Sequence, residues 1–134
     1  MSAHFTFPIR VYWEDTDAGG VVYYANYLRF MERARSEWLR SLGVEQDALQ
    51  DDLGVVFVVR RVEIDYLAPA RFNDALRVTV RLTGATRTTL TVTQQVSSDA
   101  PRARAQVRLA CVNAASFKPA RIPASILEKL SIAP

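Results

Sequence analysis

The chain has 134 residues, of which 49% are hydrophobic and 23% are charged, and its formal net charge is +3. This length suits one domain, 1–134, with a substantial core, and the composition is that of a globular protein. One cysteine and one histidine exclude a disulfide framework, a multi-cysteine zinc site and a centre that needs several histidines. Any catalysis must therefore come from carboxylates, hydroxyls, amides and backbone dipoles.

The sequence shows no targeting or cofactor-binding segment. No apolar window approaches the roughly 20 residues that a membrane span needs, and residues 1–8 lack a basic stretch followed by an apolar one. The glycine motifs of P-loop and dinucleotide-binding proteins are also missing. We expect a cytoplasmic protein with no integral membrane segment and no cofactor, whose one histidine, His4, lies in a loose terminal segment.

The first predicted element is a short strand. Residues 8–13 alternate so that Ile9, Val11 and Trp13 share one face, and Pro8 favours an edge position because proline cannot donate to a neighbouring strand. An acidic turn, 14–20, follows this strand.

The acidic turn is open to three interpretations. Glu14, Asp15 and Asp17 could ligate a divalent metal, but the spacing lacks the rest of an EF-hand loop and a distal ligand cluster. A second interpretation is a purely structural turn in which Asp17 is a cap. The third is chemical, and it depends on the helix that follows.

Apolar residues recur at steps of three and four between residues 23 and 42, which predicts one long amphipathic helix. Gly43, directly after this pattern, is typical of a helix C-terminus. The acidic stretch 45–52 is expected to be a short, exposed helical or irregular segment. The apolar stripe of the long helix consists of Tyr27, Met31, Ala34, Trp38 and Leu42, with Phe30 and Leu39 beside it.

Beyond Gly54 the hydrophobic period changes to two, which predicts strands. Gly84 and Ala85 mark a hairpin, and a second turn lies at 97–101. Cys111 falls on the inward face of the last strand, where we interpret it as a small core residue. The predicted strands are 55–66, 76–83, 89–96 and 102–111, and a short amphipathic helix at 124–130 closes the chain.

The order of elements predicts an α+β fold, in which a curved five-stranded antiparallel sheet packs around one long central helix. The edge strands of such a sheet have unpaired main-chain groups, and we expect dimerisation to cover them.

The start of the predicted helix is a candidate catalytic site. Main-chain N–H groups at a helix N-terminus have no intrahelical partners and carry the positive end of the helix dipole. Asp17 precedes the predicted helix by a few residues, so a carboxylate and amide donors can converge on one polar group. We interpret this stretch as the active site.

The segment from Asp15 to Tyr27, DTDAGGVVYYANY, resembles the acidic-turn-to-helix motif of the 4-hydroxybenzoyl-CoA thioesterase family, and within it the YbgC-type acyl-CoA thioesterases. The similarity extends through 30–35, 66–70 and 118–123. It implies a hotdog fold whose protomers join their sheets edge to edge into a homodimer, and dimers that often pair into a homotetramer. It also implies hydrolysis of the thioester of an acyl-coenzyme A, with acyl carrier protein as an alternative carrier.

Three residues carry the reaction if the resemblance holds. Asp17 matches the catalytic carboxylate, which acts as the nucleophile or as a base for water. The main-chain N–H of Tyr24 matches the donor that polarises the thioester carbonyl, and Gly20 matches the glycine that lets the chain approach the substrate. YbgC-type sequences commonly have histidine at the position of Tyr24, so a mechanism that uses that imidazole does not apply here.

The phosphates of coenzyme A are expected to meet basic side chains, for which we name Lys118, Arg121, Arg60, Arg61 and Arg87. Two alternatives from other classes stay open. The protein could be a non-catalytic acyl-CoA-binding or sensing module, in which Asp17 only caps a turn. It could also be a nucleic-acid binder that uses the outward arginines of the strands at 76–83 and 102–109, although no aromatic platform accompanies them.

Overall fold

The computed structural model describes residues 5–132, so the prediction for His4 lies outside the described residues. The predicted α+β organisation of one long helix and five antiparallel strands is confirmed. None of the helices between residues 5 and 132 has the length and hydrophobicity needed to cross a lipid bilayer. The elements are β1 (Phe5–Arg10), a short 3-10 turn (Trp13–Asp15), α1 (Asn26–Ser41), α2 (Gln46–Leu53), β2 (Val55–Tyr66), β3 (Ala75–Ala85), β4 (Thr89–Ser97), β5 (Pro101–Asn113) and α3 (Ala124–Lys129).

The strands form a single sheet in the order β1-β3-β4-β5-β2, with every neighbouring pair antiparallel. β1 is an edge strand, as Pro8 predicted, and β2 is the other edge. The pairing of Tyr66 with Ala103 and of Val55 with Asn113 defines two ends of the sheet. We call them the Tyr66 end and the Val55 end. The N-terminus of α1 lies at the Tyr66 end, because Val22 donates to the carbonyl of Ala70 over 2.8 Å.

Burial of one helix face and one sheet face forms the core. α1 packs against β1, β3 and β4, and its predicted apolar stripe is buried except for Leu42, which is half-buried. Cys111 is a core residue, as predicted, and its burial raises the pKa of the thiol. The fully buried side chains that meet in this layer include Phe30, Met31, Ala34, Val78, Val80, Leu82, Val92 and Val107.

The first strand ends earlier than the alternation predicted. Trp13 does not share the buried face of Ile9 and Val11, since 68% of its surface is exposed. The Asp15 carboxylate accepts the N–H of Tyr12 over 2.8 Å, and the Asp15 N–H donates to the Tyr12 carbonyl over 3.0 Å. These bonds close a 3-10 turn and redirect the chain.

Two other element boundaries differ from those predicted. The helix begins at Asn26 rather than at 23. The Val22 N–H donates to the Ala70 carbonyl and the Tyr23 N–H donates to the Asp15 carbonyl over 3.0 Å, and these bonds keep the preceding chain extended. The predicted hairpin turn at Gly84 and Ala85 is wrong. β3 continues through both residues after a bulge, and the turn lies at 86–88.

Gly43 ends α1, as predicted, at a φ of +82° that side chains with a Cβ rarely adopt. Replacing Gly43 by Ala is expected to lower the free energy of unfolding by about 1 kcal/mol, because the added Cβ has space but the backbone becomes strained. Urea denaturation measures this change. Gly84→Ala is the control, since its Cβ would make an ordinary 3.6 Å contact with Thr91. Equal losses in the two variants would contradict the conformational explanation.

Candidate active site

The acidic turn forms a small hairpin that places Asp17 at its tip. Thr16 and Val22 pair across it, the Asp17 N–H donates to the Val21 carbonyl over 2.9 Å, and the Gly20 N–H donates to the Asp17 carbonyl over 3.0 Å. Gly20 has a φ of +78°, which a glycine adopts without strain. The turn therefore brings Asp17 and Gly20 together, as the sequence predicted.

The carboxylate of Asp17 is exposed and oriented by its own turn. One oxygen, Oδ1, accepts the N–H of Gly19 over 2.8 Å. A Cβ at Gly19 would lie 3.2 Å from this oxygen, so the glycine leaves room for the bond. Within residues 5–132 no donor lies at hydrogen-bonding distance from the second oxygen, Oδ2. The turn therefore orients the carboxylate through Oδ1 and leaves Oδ2 available for a reaction.

The other two acids of the turn have different surroundings. Asp15 is buried, and its carboxylate and main-chain carbonyl hold Tyr12, Tyr23 and Asn26. Glu14 is exposed. Across the described part of the chain, no three acidic, histidine or cysteine side chains are grouped so that they could hold a metal ion.

The start of α1 leaves main-chain donors free, among them those of Tyr24 and Ala25. The Tyr23 carbonyl accepts the N–H of Asn26 over 2.8 Å, and the Asn26 side-chain amide donates to the Asp15 carbonyl over 2.9 Å. Within residues 5–132 the N–H groups of Tyr24 and Ala25 have no acceptor. No side chain caps this helix end, so both donors are open to an outside acceptor.

A cavity of about 320 Å³ opens beside these donors. Tyr66 lies between Tyr24 and Tyr27, with ring centroids at 6.1 Å and 5.5 Å, so three tyrosines line one wall. The hydroxyl of Tyr27 accepts the N–H of Ala70 over 2.9 Å. Burial is the main cause that raises the pKa of Tyr27 and Tyr66. The remaining wall consists of Val22, Leu67, Ala68 and Pro69.

Sequence reasoning did not single out Tyr27 or Tyr66 for the site. The sequence pattern assigns Tyr27 to the apolar stripe, and it assigns Tyr66 to the end of a strand within the segment 66–70 of the resemblance, with no role in the reaction. Their chemistry depends on β2 and α1 meeting at one end of the sheet, which no local spacing reveals.

The structure places three of the named basic residues together at the Val55 end. The Arg87 carbonyl accepts the N–H of Ile122 over 2.8 Å, which ties the β3–β4 turn to the segment that carries Lys118 and Arg121. All three side chains are exposed. The twelve residues of β2 run from this end of the sheet to the Tyr66 end, so these side chains lie at the opposite end of the sheet from the Asp17 hairpin of the same protomer.

Arg60 and Arg61 lie in the middle of β2, on the open edge of the sheet. The register between β2 and β5 shifts between Val59 and Arg61, so Arg60 is the extra residue of a bulge. The guanidinium of Arg61 forms an exposed ion pair with Glu63 over 2.6 Å. Neither arginine contacts the Asp17 hairpin in this protomer.

Comparisons with known proteins cover most of the chain. A family model described as the thioesterase-like superfamily matches residues 11–130. A curated protein of Escherichia coli O6:H1 named acyl-CoA thioester hydrolase YbgC is 43% identical over 125 residues, which are 92% of this chain and 92% of that protein.

Solved structures show the same similarity. A probable thioesterase from Bartonella henselae is 35% identical, with a TM-score of 0.86 over 90% of this chain and all of that chain. A 1,4-dihydroxy-2-naphthoyl-CoA thioesterase from Synechocystis is 26% identical, with a TM-score of 0.88 over 96% of each chain.

Proposed function

The chain belongs to the thioesterase-like superfamily, and we propose that it is an enzyme that hydrolyses the thioester of an acyl-coenzyme A to the free acid and coenzyme A. The hotdog fold that the resemblance implied is confirmed, and so is the similarity to YbgC-type acyl-CoA thioesterases. The observation that carries the proposal is the place of a turn-held carboxylate, Asp17, on the hairpin that leads directly into the uncapped start of α1 and its free main-chain donors. We also propose that residues 1–134 act as one domain, in the cytoplasm, where the single thiol stays reduced.

Asp17 supplies the attacking group in one of two ways. As a nucleophile, its free carboxylate oxygen adds to the thioester carbonyl carbon, the carbon–sulfur bond breaks, and the coenzyme A thiolate leaves. Water then hydrolyses the resulting anhydride and regenerates the carboxylate. As a general base, the same oxygen removes a proton from the water that attacks the carbonyl. Both routes use the Asp17 carboxylate directly, and its side chain is exposed to an incoming substrate.

The main-chain N–H of Tyr24 receives the charge that develops on the thioester oxygen. It belongs to the positive end of α1 and has no acceptor among residues 5–132, so binding the substrate breaks no existing bond. A preorganised donor of this kind contributes about 3–4 kcal/mol of transition-state stabilisation, or roughly 100- to 1,000-fold in rate. The φ of +78° at Gly20 keeps the hairpin tight beside this position.

Two protomers are needed to bring the basic residues to the site. β2 is a 12-residue edge strand with unpaired main-chain groups, and 49% of the surface of Val59 is exposed on it. Antiparallel pairing of two β2 strands about a two-fold axis sets the Val55 end of one copy beside the Tyr66 end of the other. We therefore propose a homodimer in which Lys118, Arg121 and Arg87 of one copy meet coenzyme A bound at the other copy's hairpin.

In this homodimer Arg60 and Arg61 lie near the two-fold axis, at the seam between the two sheets. Light scattering should give two times the 15.0 kDa protomer mass, or four times if dimers pair into a tetramer. A monomer at micromolar concentration would contradict the shared site.

Removing the charges of Lys118 and Arg121 together is expected to raise the KM for an acyl-CoA about tenfold with little change in kcat. The reason is that two charge-assisted contacts to phosphate are lost, whereas the reacting groups are untouched. The matched control is Arg81→Ala with Arg108→Ala, which removes two exposed positive charges from the outer sheet face. Equal KM values in the two double variants would refute the phosphate assignment.

The proposed activity is tested by measuring thiol release from a panel of short, long and aromatic acyl-CoAs, together with one acyl group on acyl carrier protein. Hydrolysis of at least one substrate by the pure protein supports the proposal, and the preferred acyl group and carrier are read from the same panel. Binding of acyl-CoA without turnover would instead favour a sensing module. If the protein neither binds nor hydrolyses any acyl-CoA, the proposed function is wrong.

A further inference from the structure

The hydroxyl of Tyr66 donates a hydrogen bond to the main-chain carbonyl of Tyr24, with 3.1 Å between the two oxygens. Tyr66 is the last residue of β2, and Tyr24 precedes α1 by two residues. The bond therefore joins the open edge of the sheet to the helix start across 42 positions of the chain. The proposed mechanism uses the N–H of Tyr24 and gives no part to Tyr66.

Both peptide groups at the helix start have an occupied carbonyl and a free N–H. The Tyr23 carbonyl accepts the N–H of Asn26, and the Tyr24 carbonyl accepts the hydroxyl of Tyr66. The N–H groups of the same two peptides belong to Tyr24 and Ala25, and neither has an acceptor in the described chain. A hydrogen bond to a peptide carbonyl polarises the peptide and makes its N–H a stronger donor.

We propose that Tyr66 is a positioning residue for thioester hydrolysis. Its hydroxyl holds and polarises the peptide between Tyr24 and Ala25, so that the N–H groups of both residues bind the thioester oxygen together. Tyr24 and Ala25 are the two central residues of the turn that the Asn26 N–H closes onto the Tyr23 carbonyl, and successive N–H groups of such a turn can share one acceptor. This inference rests on the proposed function, because it assigns a role within the same reaction.

The ring and the hydroxyl of Tyr66 have separable contacts. The ring meets Tyr24 and Tyr27 edge to face and forms part of the cavity wall. The hydroxyl makes the single bond to the Tyr24 carbonyl. Burial and the two neighbouring tyrosines raise the pKa of Tyr66, so the hydroxyl keeps its proton and its donor role at neutral pH. Phenylalanine at this position keeps the wall and removes the donor.

Tyr66→Phe is expected to lower kcat about fivefold to tenfold, the scale of one hydrogen bond that acts on the transition state, with KM within about twofold of the wild type. The matched control is Tyr12→Phe. Tyr12 is exposed, and its hydroxyl makes no hydrogen bond within residues 5–132. This control should leave kcat, KM and the melting temperature unchanged. An unchanged kcat in Tyr66→Phe would overturn the inference.

A second measurement separates positioning from general stabilisation. The probe is the ketone analogue of butyryl-CoA, in which a methylene replaces the thioester sulfur and the carbonyl carbon is labelled with ¹³C. Its carbonyl stretching frequency should fall on binding to the wild type and return part of the way in Tyr66→Phe. Equal frequencies in the two proteins would overturn the inference, whatever happens to the rate or the melting temperature.

The two experiments also distinguish this inference from the proposed function. If the wild type hydrolyses acyl-CoAs but Tyr66→Phe matches it, the function stands and the role of Tyr66 is wrong. If the wild type hydrolyses nothing yet binds the ketone analogue, the function fails. In that case the frequency shift alone decides whether Tyr66 strengthens the donors.

Discussion

Replacing Asp17 by Asn is expected to slow acyl-CoA hydrolysis by at least about a hundredfold, the scale of an essential catalytic group. Asparagine keeps the size of the side chain and can still accept the Gly19 N–H through its amide oxygen, so the turn is preserved. The amide, however, is neither a useful nucleophile nor a base. The loss should appear in kcat, measured by thiol release at equal concentrations of folded protein.

Glu14→Gln is the matched control for this experiment. It removes one negative charge from the same turn, and Glu14 is an exposed residue. Its activity should stay within about twofold of the wild type, as expected for a surface change away from the reacting groups. If Asp17→Asn and Glu14→Gln retain equal activity, Asp17 is only a turn cap and the proposed mechanism is wrong.

The largest effect on stability is expected from Gln94. This glutamine is fully buried in β4. Its Oε1 accepts a bond from the Arg35 guanidinium over 3.0 Å, and its Nε2 donates to the Met31 carbonyl over 3.0 Å. Arg35 is itself only 9% exposed, burial lowers its pKa, and no carboxylate lies within 4.0 Å of it among the described residues. Gln94 is thus the acceptor that makes this buried cation tolerable.

Gln94→Leu is expected to lower the free energy of unfolding by about 3 kcal/mol, because it leaves a buried guanidinium without its acceptor. Chemical denaturation followed by circular dichroism measures the change. Gln106→Leu, an exposed glutamine on the neighbouring strand, should change stability by less than about 0.5 kcal/mol.

A double variant tests whether the unpaired guanidinium causes the loss of stability. Arg35→Met combined with Gln94→Leu replaces both polar partners by apolar side chains of similar volume, so most of the lost stability should return. If the two single losses simply add in the double variant, the pair is not coupled and the explanation fails.

The Asp17 hairpin shows how much of the candidate site local sequence can predict. The order of an acidic turn, two glycines and a helical pattern is local information, and it was enough to place Asp17 and Gly20 together. The same order could not reveal that Asp15 is buried and structural, because its role depends on the meeting of its carbonyl with Tyr23 and Asn26. The buried pair of Arg35 and Gln94 was missed for a similar reason, since charged and amide side chains are usually assigned to the surface.

By itself the sequence determined the α+β class, the five strands, the long helix and the position of the carboxylate, because hydrophobic periods and turn residues act over a few neighbours. Only the tertiary structure decided which residues lie near the candidate site. The bond from Tyr66 to the Tyr24 carbonyl, and the placement of the basic residues at the end of the sheet opposite Asp17, follow from sheet order and register. These relations join residues more than forty positions apart, and no local pattern encodes them.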